Sequence, residues 1–181
     1  ACGGIEQTPL YERQMRMSGG DFSLWQANAR GVDLNHNYDR GYAAYKRLER
    51  EEGITAGATR YSGEYPESEP ETHAVASFLR TAMPAAVITL HSQGEELYFA
   101  PRGDARTGRI ARRLSRALAY PIGTPEGLSA YGGLTDYAGD VLGIPSYTLE
   151  VGKGKNPLPL TDYPALRRRV LPALFRFGTM L

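Results

Sequence analysis

Two apolar, β-rich runs, each ending in a side chain able to do chemistry, constrain this chain more than anything else in it. Ala85-Ala86-Val87-Ile88-Thr89-Leu90 runs into His91, and Pro145-Ser146-Tyr147-Thr148-Leu149 runs into Glu150. Both read as strands, and helical patterns lie before, between and after them. Strands alternating with helices indicate an α/β protein, in three α/β/α layers around a mixed, mostly parallel central sheet. Sheets of this kind put their sites in strand-end loops. A neutral imidazole and a carboxylate at two strand ends are the right parts for a metal ligand and a general base around one water.

The rest of the chain supplies the cover. Helices are expected over residues 10–17, 42–50, 68–82, 104–119, 135–142 and 164–180. Further strands are expected over 32–34 and 96–100. Ser68 followed by Glu71 has the form of a capping box, with Val75, Phe78 and Leu79 at core spacing behind it. Over 104–119, Ile110, Leu114 and Leu118 share one face, and five arginines fall mainly on the others. That arrangement is a solvated helix face, not a nucleic-acid patch.

A length of 181 residues fits one domain, 1–181, with enough chain to bury roughly 70% of its unfolded surface. The net charge of +1 gives no electrostatic case for nucleic acid. A single cysteine, Cys2, excludes an internal disulfide framework and any multi-cysteine metal site. No apolar run is long enough to span a membrane. The start, Ala1-Cys2-Gly3-Gly4, carries neither an initiator Met nor a signal peptide. Cytoplasm and exterior both stay open as the compartment, with cytoplasm the first expectation.

Only three histidines are available for a metal. His73 lies within an expected helix with no second ligand at metal spacing, so a structural role is expected. No H-E-x-x-H is present. The donor-rich run Asn35-His36-Asn37-Tyr38 is suited to gripping a substrate or tying the local backbone. Asp33 fits two roles equally, a turn or cap residue and a carboxylate orienting a ligand histidine. Glu95 and Glu96 read as exposed strand-start carboxylates. Glu150 interrupts an apolar strand, so it is paired with a cation or held at raised pKa.

The order of the segments adds to this. Trp25-Gln26-Ala27-Asn28-Ala29-Arg30-Gly31-Val32-Asp33-Leu34-Asn35-His36-Asn37-Tyr38 resembles the signature block of zinc carboxypeptidases of the carboxypeptidase A superfamily. Four more blocks resemble the family's in the family's order: 61–71, 88–98, 132–138 and 148–152. The resemblance covers nearly the whole chain and implies the fold of a zinc peptidase. It implies that His91 is a zinc ligand and that Glu150 is the general base and acid. It further implies that Asp33 orients a zinc-binding histidine, that Asn35 and His36 bind a substrate carboxylate, and that Thr135 lies at the base of the side-chain pocket.

Three departures qualify it. The family's H-x-x-E zinc motif belongs upstream of the Val32–Tyr38 block, and residues 1–31 contain no histidine. Gln26 stands where the carbonyl-polarising arginine is expected. The chain is therefore expected to be the C-terminal portion of a catalytic domain, lacking the N-terminal part of the family fold. His36 replaces an arginine, and it is shorter and lacks the bidentate guanidinium fork. With the Ser92–Glu96 sequence, it gives the look of bacterial members that cut γ-D-glutamyl–diaminopimelate bonds in cell-wall peptides. Arg102 reads first as a plain surface arginine, with a positive group near the substrate as its alternative role. The mobile-loop tyrosine of the family falls on Leu128 by spacing, with Tyr131 the nearest candidate. The expected function is zinc-dependent hydrolysis of murein-derived peptides. The competing readings are a peptide-binding module and an inactive fragment, either of which would lack a complete zinc site.

Overall fold

A computed structural model describes residues 8–100 and 104–181. The chain divides into two compact units. The first comprises residues up to Ser77 together with Tyr131–Gly133, and the second comprises Phe78–Ala130 and Leu134–Leu181.

The first unit is helix and ordered loop. Helix α1 (Pro9–Met17) is started by Thr8, whose hydroxyl accepts from the Tyr11 N–H at 3.2 Å, with proline at the first position. Helix α2 (Tyr42–Glu51) buries Tyr42, Tyr45 and Glu49. These side chains organise the loop that follows: Tyr42 Oη donates to the Gly63 carbonyl at 2.8 Å, and Tyr45 Oη to that of Arg60 at 2.6 Å. The Glu49 carboxylate accepts from the N–H and hydroxyl of Ser62 and pairs with Lys46. A buried charge is tolerable only when paired and hydrogen-bonded, and here it is both.

The strand expected over 32–34 does not form. Asp33 instead caps a 3-10 turn, Leu34–His36, and its carboxylate gives local backbone N–H groups a partner that competes with strand pairing. Ser68 is likewise not the cap of α3 (Pro70–Ala82). It sits two residues ahead of the helix and bonds Asn37 and Glu69. Along α3 the buried stripe is Thr72, Ala76 and Leu79, while Val75 and Phe78 are exposed.

The second unit is layered. Strands β1 (Val87–His91), β2 (Glu96–Phe99) and β3 (Ser146–Glu150) form one sheet in the order β1-β3-β2. The sheet is mixed: β1 runs parallel to β3, and β2 antiparallel to it. Alternation along β3 sends Tyr147 and Leu149 to one face and Ser146, Thr148 and Glu150 to the other. The first face meets α4 (Ala105–Leu118) and α6 (Tyr163–Gly178). Their stripes Ile110, Ala111, Leu114, Leu118 and Val170, Ala173, Phe177 close the main core with Leu97, Tyr120, Tyr147 and Leu149. Asp104 caps α4, accepting from the Thr107 N–H at 2.7 Å and hydroxyl at 2.8 Å. The opposite face meets a short α5 (Leu134–Asp136) that continues as a π-helical turn, Tyr137–Val141. A smaller core of Leu79, Ala138 and Ile144 lies on that side. Truncating one of the fully buried leucines of the main core is expected to cost about 2–5 kcal/mol.

Candidate active site

Register sets the chemistry of the second unit. Glu150 pairs with His91 of β1 on one side and with Glu96 of β2 on the other. Laterally paired residues share a face, so His91, Glu150 and Glu96 form a row across the sheet. The row stands at the C-terminal end of the parallel pair, where α/β sheets place ligands. Glu150 occupies the central strand, and the turn that joins β1 to β2 passes over it. A Cβ on Gly94 would lie 3.3 Å from that of Glu150. Enclosure on three sides raises the Glu150 carboxyl to about 7, chiefly by loss of hydration and further by the adjacent Glu96 charge.

Glu96 is itself held in place. Tyr98, two residues along on the same face, donates its phenol at 2.5 Å, and burial with this bond keeps that phenol protonated well above its usual range. Glu95, next in sequence, faces α6, where Arg169 meets it at 2.7 Å. Deeper on the Glu150 face, the hydroxyls of Thr89, Thr135 and Thr148 form a triangle with edges of 2.6, 3.0 and 3.2 Å. Thr135 is buried there, and its carbonyl accepts from Ser146 Oγ at 2.7 Å.

The first unit holds the other predicted residues. Asp33 spends its carboxylate on the N–H groups of Asn35 and Arg60 at 3.2 and 2.9 Å and on the Thr59 hydroxyl at 3.1 Å. These are capping contacts. His36 is 9% exposed, stacked on Tyr45 with ring centroids 4.4 Å apart. Its Nδ1 lies 3.1 Å from the Tyr131 carbonyl. A carbonyl only accepts, so Nδ1 carries a proton, and Nε2 can donate to a carboxylate only in the imidazolium form. Gly132 allows this packing: it has φ +76°, and a Cβ there would lie 2.6 Å from the His36 carbonyl oxygen. Asn35 is exposed, and its carboxamide has no partner among the described residues. Asn37 is fully buried and ties the loop, donating to the Ser62 and Tyr65 carbonyls and to Ser68 Oγ. Gln26 accepts from Thr59. Arg102 lies outside the described residues.

Sequence reasoning took Glu96 for an exposed strand-start carboxylate, whereas it is half-buried beside Glu150. Its signal was the two-residue step to Tyr98, which puts an acid and a phenol on one face of an expected strand.

Fold and row together define an α/β protein with a row of one imidazole and two carboxylates at its strand ends. Residues 11–168 match the family described as zinc carboxypeptidase, and the chain belongs to that family. The γ-D-glutamyl-L-diamino acid endopeptidase 1 of Lysinibacillus sphaericus is 30% identical over 164 residues, covering 89% of this chain and 40% of that protein. Murein peptide amidase A of Escherichia coli K12 is 28% identical over 121 residues, covering 64% and 47%. The solved structure of thrombin activatable fibrinolysis inhibitor superposes with a TM-score of 0.62 at 26% identity, covering 82% of this chain and 41% of that one. The murein-tripeptide amidase of E. coli O157 shares the fold, with a TM-score of 0.55 at 23% identity over 83% and 59%. The chain thus spans 40% of the length of the first of these relatives.

The family uses zinc, and a catalytic zinc asks for three protein ligands. Among the described residues, no group of three or more His, Cys, Asp or Glu side chains is placed to hold a metal ion. These residues do not make a complete zinc centre.

Proposed function

We propose that this chain serves peptide-bond hydrolysis of the carboxypeptidase type, directed at γ-D-glutamyl–diamino acid bonds of cell-wall peptides, with Glu150 as the proton-transferring group. The observation that carries the reading is the Glu150 carboxyl at the end of the central strand, raised to about 7. A base of that pKa takes a proton from an attacking water at neutral pH, and as an acid it returns the proton to the departing amine. His91, beside it in register, is the residue offered as a zinc ligand. On the first unit, Asn35 and His36 are the residues offered for a substrate carboxylate, and the Tyr131 carbonyl fixes the His36 ring. Thr135 would floor a side-chain pocket. The names of two relatives, a γ-D-glutamyl-L-diamino acid endopeptidase and a murein peptide amidase, support the substrate class.

The test is turnover of a γ-D-glutamyl–diaminopimelate peptide with zinc supplied. Glu150→Gln is expected to lower kcat at least 100-fold with unchanged circular dichroism. Turnover within threefold of the parent would remove Glu150 from the chemistry. A second reading, peptide binding without hydrolysis, is favoured by the incomplete metal set. Peptide binding by a chain that stays metal-free and inactive at saturating zinc would establish it.

A further inference from the structure

A cavity of about 410 Å³ opens in the first unit. That volume lies in the range of small-ligand sites, roughly 300–1,000 Å³. Its charged lining sorts into two kinds. Glu69 is 3% exposed and fully engaged: Asn28 Nδ2 donates to it at 2.7 Å and Ser68 Oγ at 2.9 Å, and Arg30 stands 3.6 Å away. That carboxylate and Arg30 are thus already engaged with each other and with their neighbours.

Arg13 on α1 and Glu64 in the loop before α3 are different. Both line the same cavity, both are exposed, and neither has an ion pair or hydrogen bond among the described residues. They stand on separate segments and are not paired with each other. Tyr61 and Tyr65 also line the cavity and supply aromatic wall. One ring of that wall already carries a cation, with Lys46 Nζ 4.6 Å from the Tyr61 centroid.

We propose that this cavity binds a zwitterionic α-amino-acid head group, its carboxylate on Arg13 and its ammonium on Glu64. A guanidinium takes a carboxylate through two parallel N–H bonds, and a carboxylate takes an ammonium through its oxygens. A ligand bearing only anionic charge would face Glu64, and one bearing only cationic charge would face Arg13. The unpaired charge of the cavity therefore selects a group carrying both signs. The tyrosines would cover the methylene chain of a diamino acid. The proposal rests on the function proposed above for the source of such a group, the free end of a diamino acid in a wall peptide, and not for its chemistry.

The experiment titrates the full 181-residue chain with meso-diaminopimelic acid, followed by amide chemical shifts. Glutaric acid lacks the ammonium, and cadaverine lacks the carboxylate. Diaminopimelic acid is expected to bind at least tenfold more tightly than either. Arg13→Gln and Glu64→Gln, both at exposed positions, are each expected to weaken it at least fivefold. Absence of binding, equal binding of glutaric acid, or binding indifferent to both substitutions would overturn the proposal. Glu150→Gln is expected to leave this binding unchanged, so failure at the cavity and failure of the hydrolytic reading are separable.

Discussion

At the scale of single residues, Glu150 places an ionisable group on the middle strand of a sheet, where hydration is hard to keep. Its carboxyl is raised from 4.5 to about 7. A raised acid is favoured in the folded state while protonated, so its contribution to stability is fully present below about pH 4.5. That contribution is lost as pH rises through about 7. The full shift would be about 3 kcal/mol, and because solvent still reaches the group, about 1–2 kcal/mol is the discounted expectation. Glu150→Gln is thus expected to be more stable than the parent by that amount at pH 8, and equal to it near pH 4. Urea denaturation at the two pH values reads this directly, and a variant less stable at pH 8 would contradict the burial argument. Gly132 offers a second test, because its replacement meets backbone and has no side chain to push aside. Gly132→Ala is expected to cost more than about 2 kcal/mol, from the left-handed φ and the collision with the His36 carbonyl together. Gly143 has φ +70° and open space around it, so Gly143→Ala isolates the backbone part, about 1 kcal/mol. Equal melting temperatures for the two variants would mean that the loop at Gly132 shifts freely.

At the scale of elements, the strand ends could be read from the sequence because apolar runs punctuated by His91 and Glu150 have few other solutions. Helix α4 was equally plain, with its apolar stripe and its arginines on separate faces. The sheet order was not. Consecutive strands usually neighbour each other, yet β3 lies between β1 and β2, and only that order puts Glu96 beside Glu150. In the first unit, propensity favoured a strand at 32–34, but the side chain of Asp33 took the N–H groups of Asn35, two residues on, and of the distant Arg60. The exposure of Val75 and Phe78 shows a different limit: spacing marks an apolar face but not which face is covered. The turn between β1 and β2 also depends on a distant helix. Arg169 on α6 donates to Glu95 at 2.7 Å and to the Leu118 carbonyl at 2.8 Å, with its guanidinium 4.6 Å from the Tyr120 ring centroid. Arg169→Met keeps much of the packing and removes the donors. Amide hydrogen exchange across residues 92–96 is expected to quicken at least tenfold, with α4 amides unaffected. Unchanged protection would mean that the turn is held by its own backbone bonds, such as Gly94 N–H to the Gly152 carbonyl at 2.9 Å.

At the scale of the whole molecule, membership of a zinc family and the metal chemistry of this chain are separate matters. Family likeness follows from order and spacing over residues 11–168. Metal affinity follows from how many deprotonated ligands converge on one point, and a strand-end imidazole with a neighbouring carboxylate is a partial set. Complete four-ligand zinc sites contribute roughly 10–16 kcal/mol, so about half that set leaves a Kd on the order of 10 μM or weaker. Equilibrium dialysis of the 181-residue chain against zinc should find that affinity, lowered by His91→Ala. A submicromolar Kd that His91→Ala abolishes would show that further ligands converge on His91 in solution, and the hydrolytic reading would then need no ligand beyond this chain. A submicromolar Kd indifferent to His91→Ala would place the metal elsewhere and remove His91 from the ligand set.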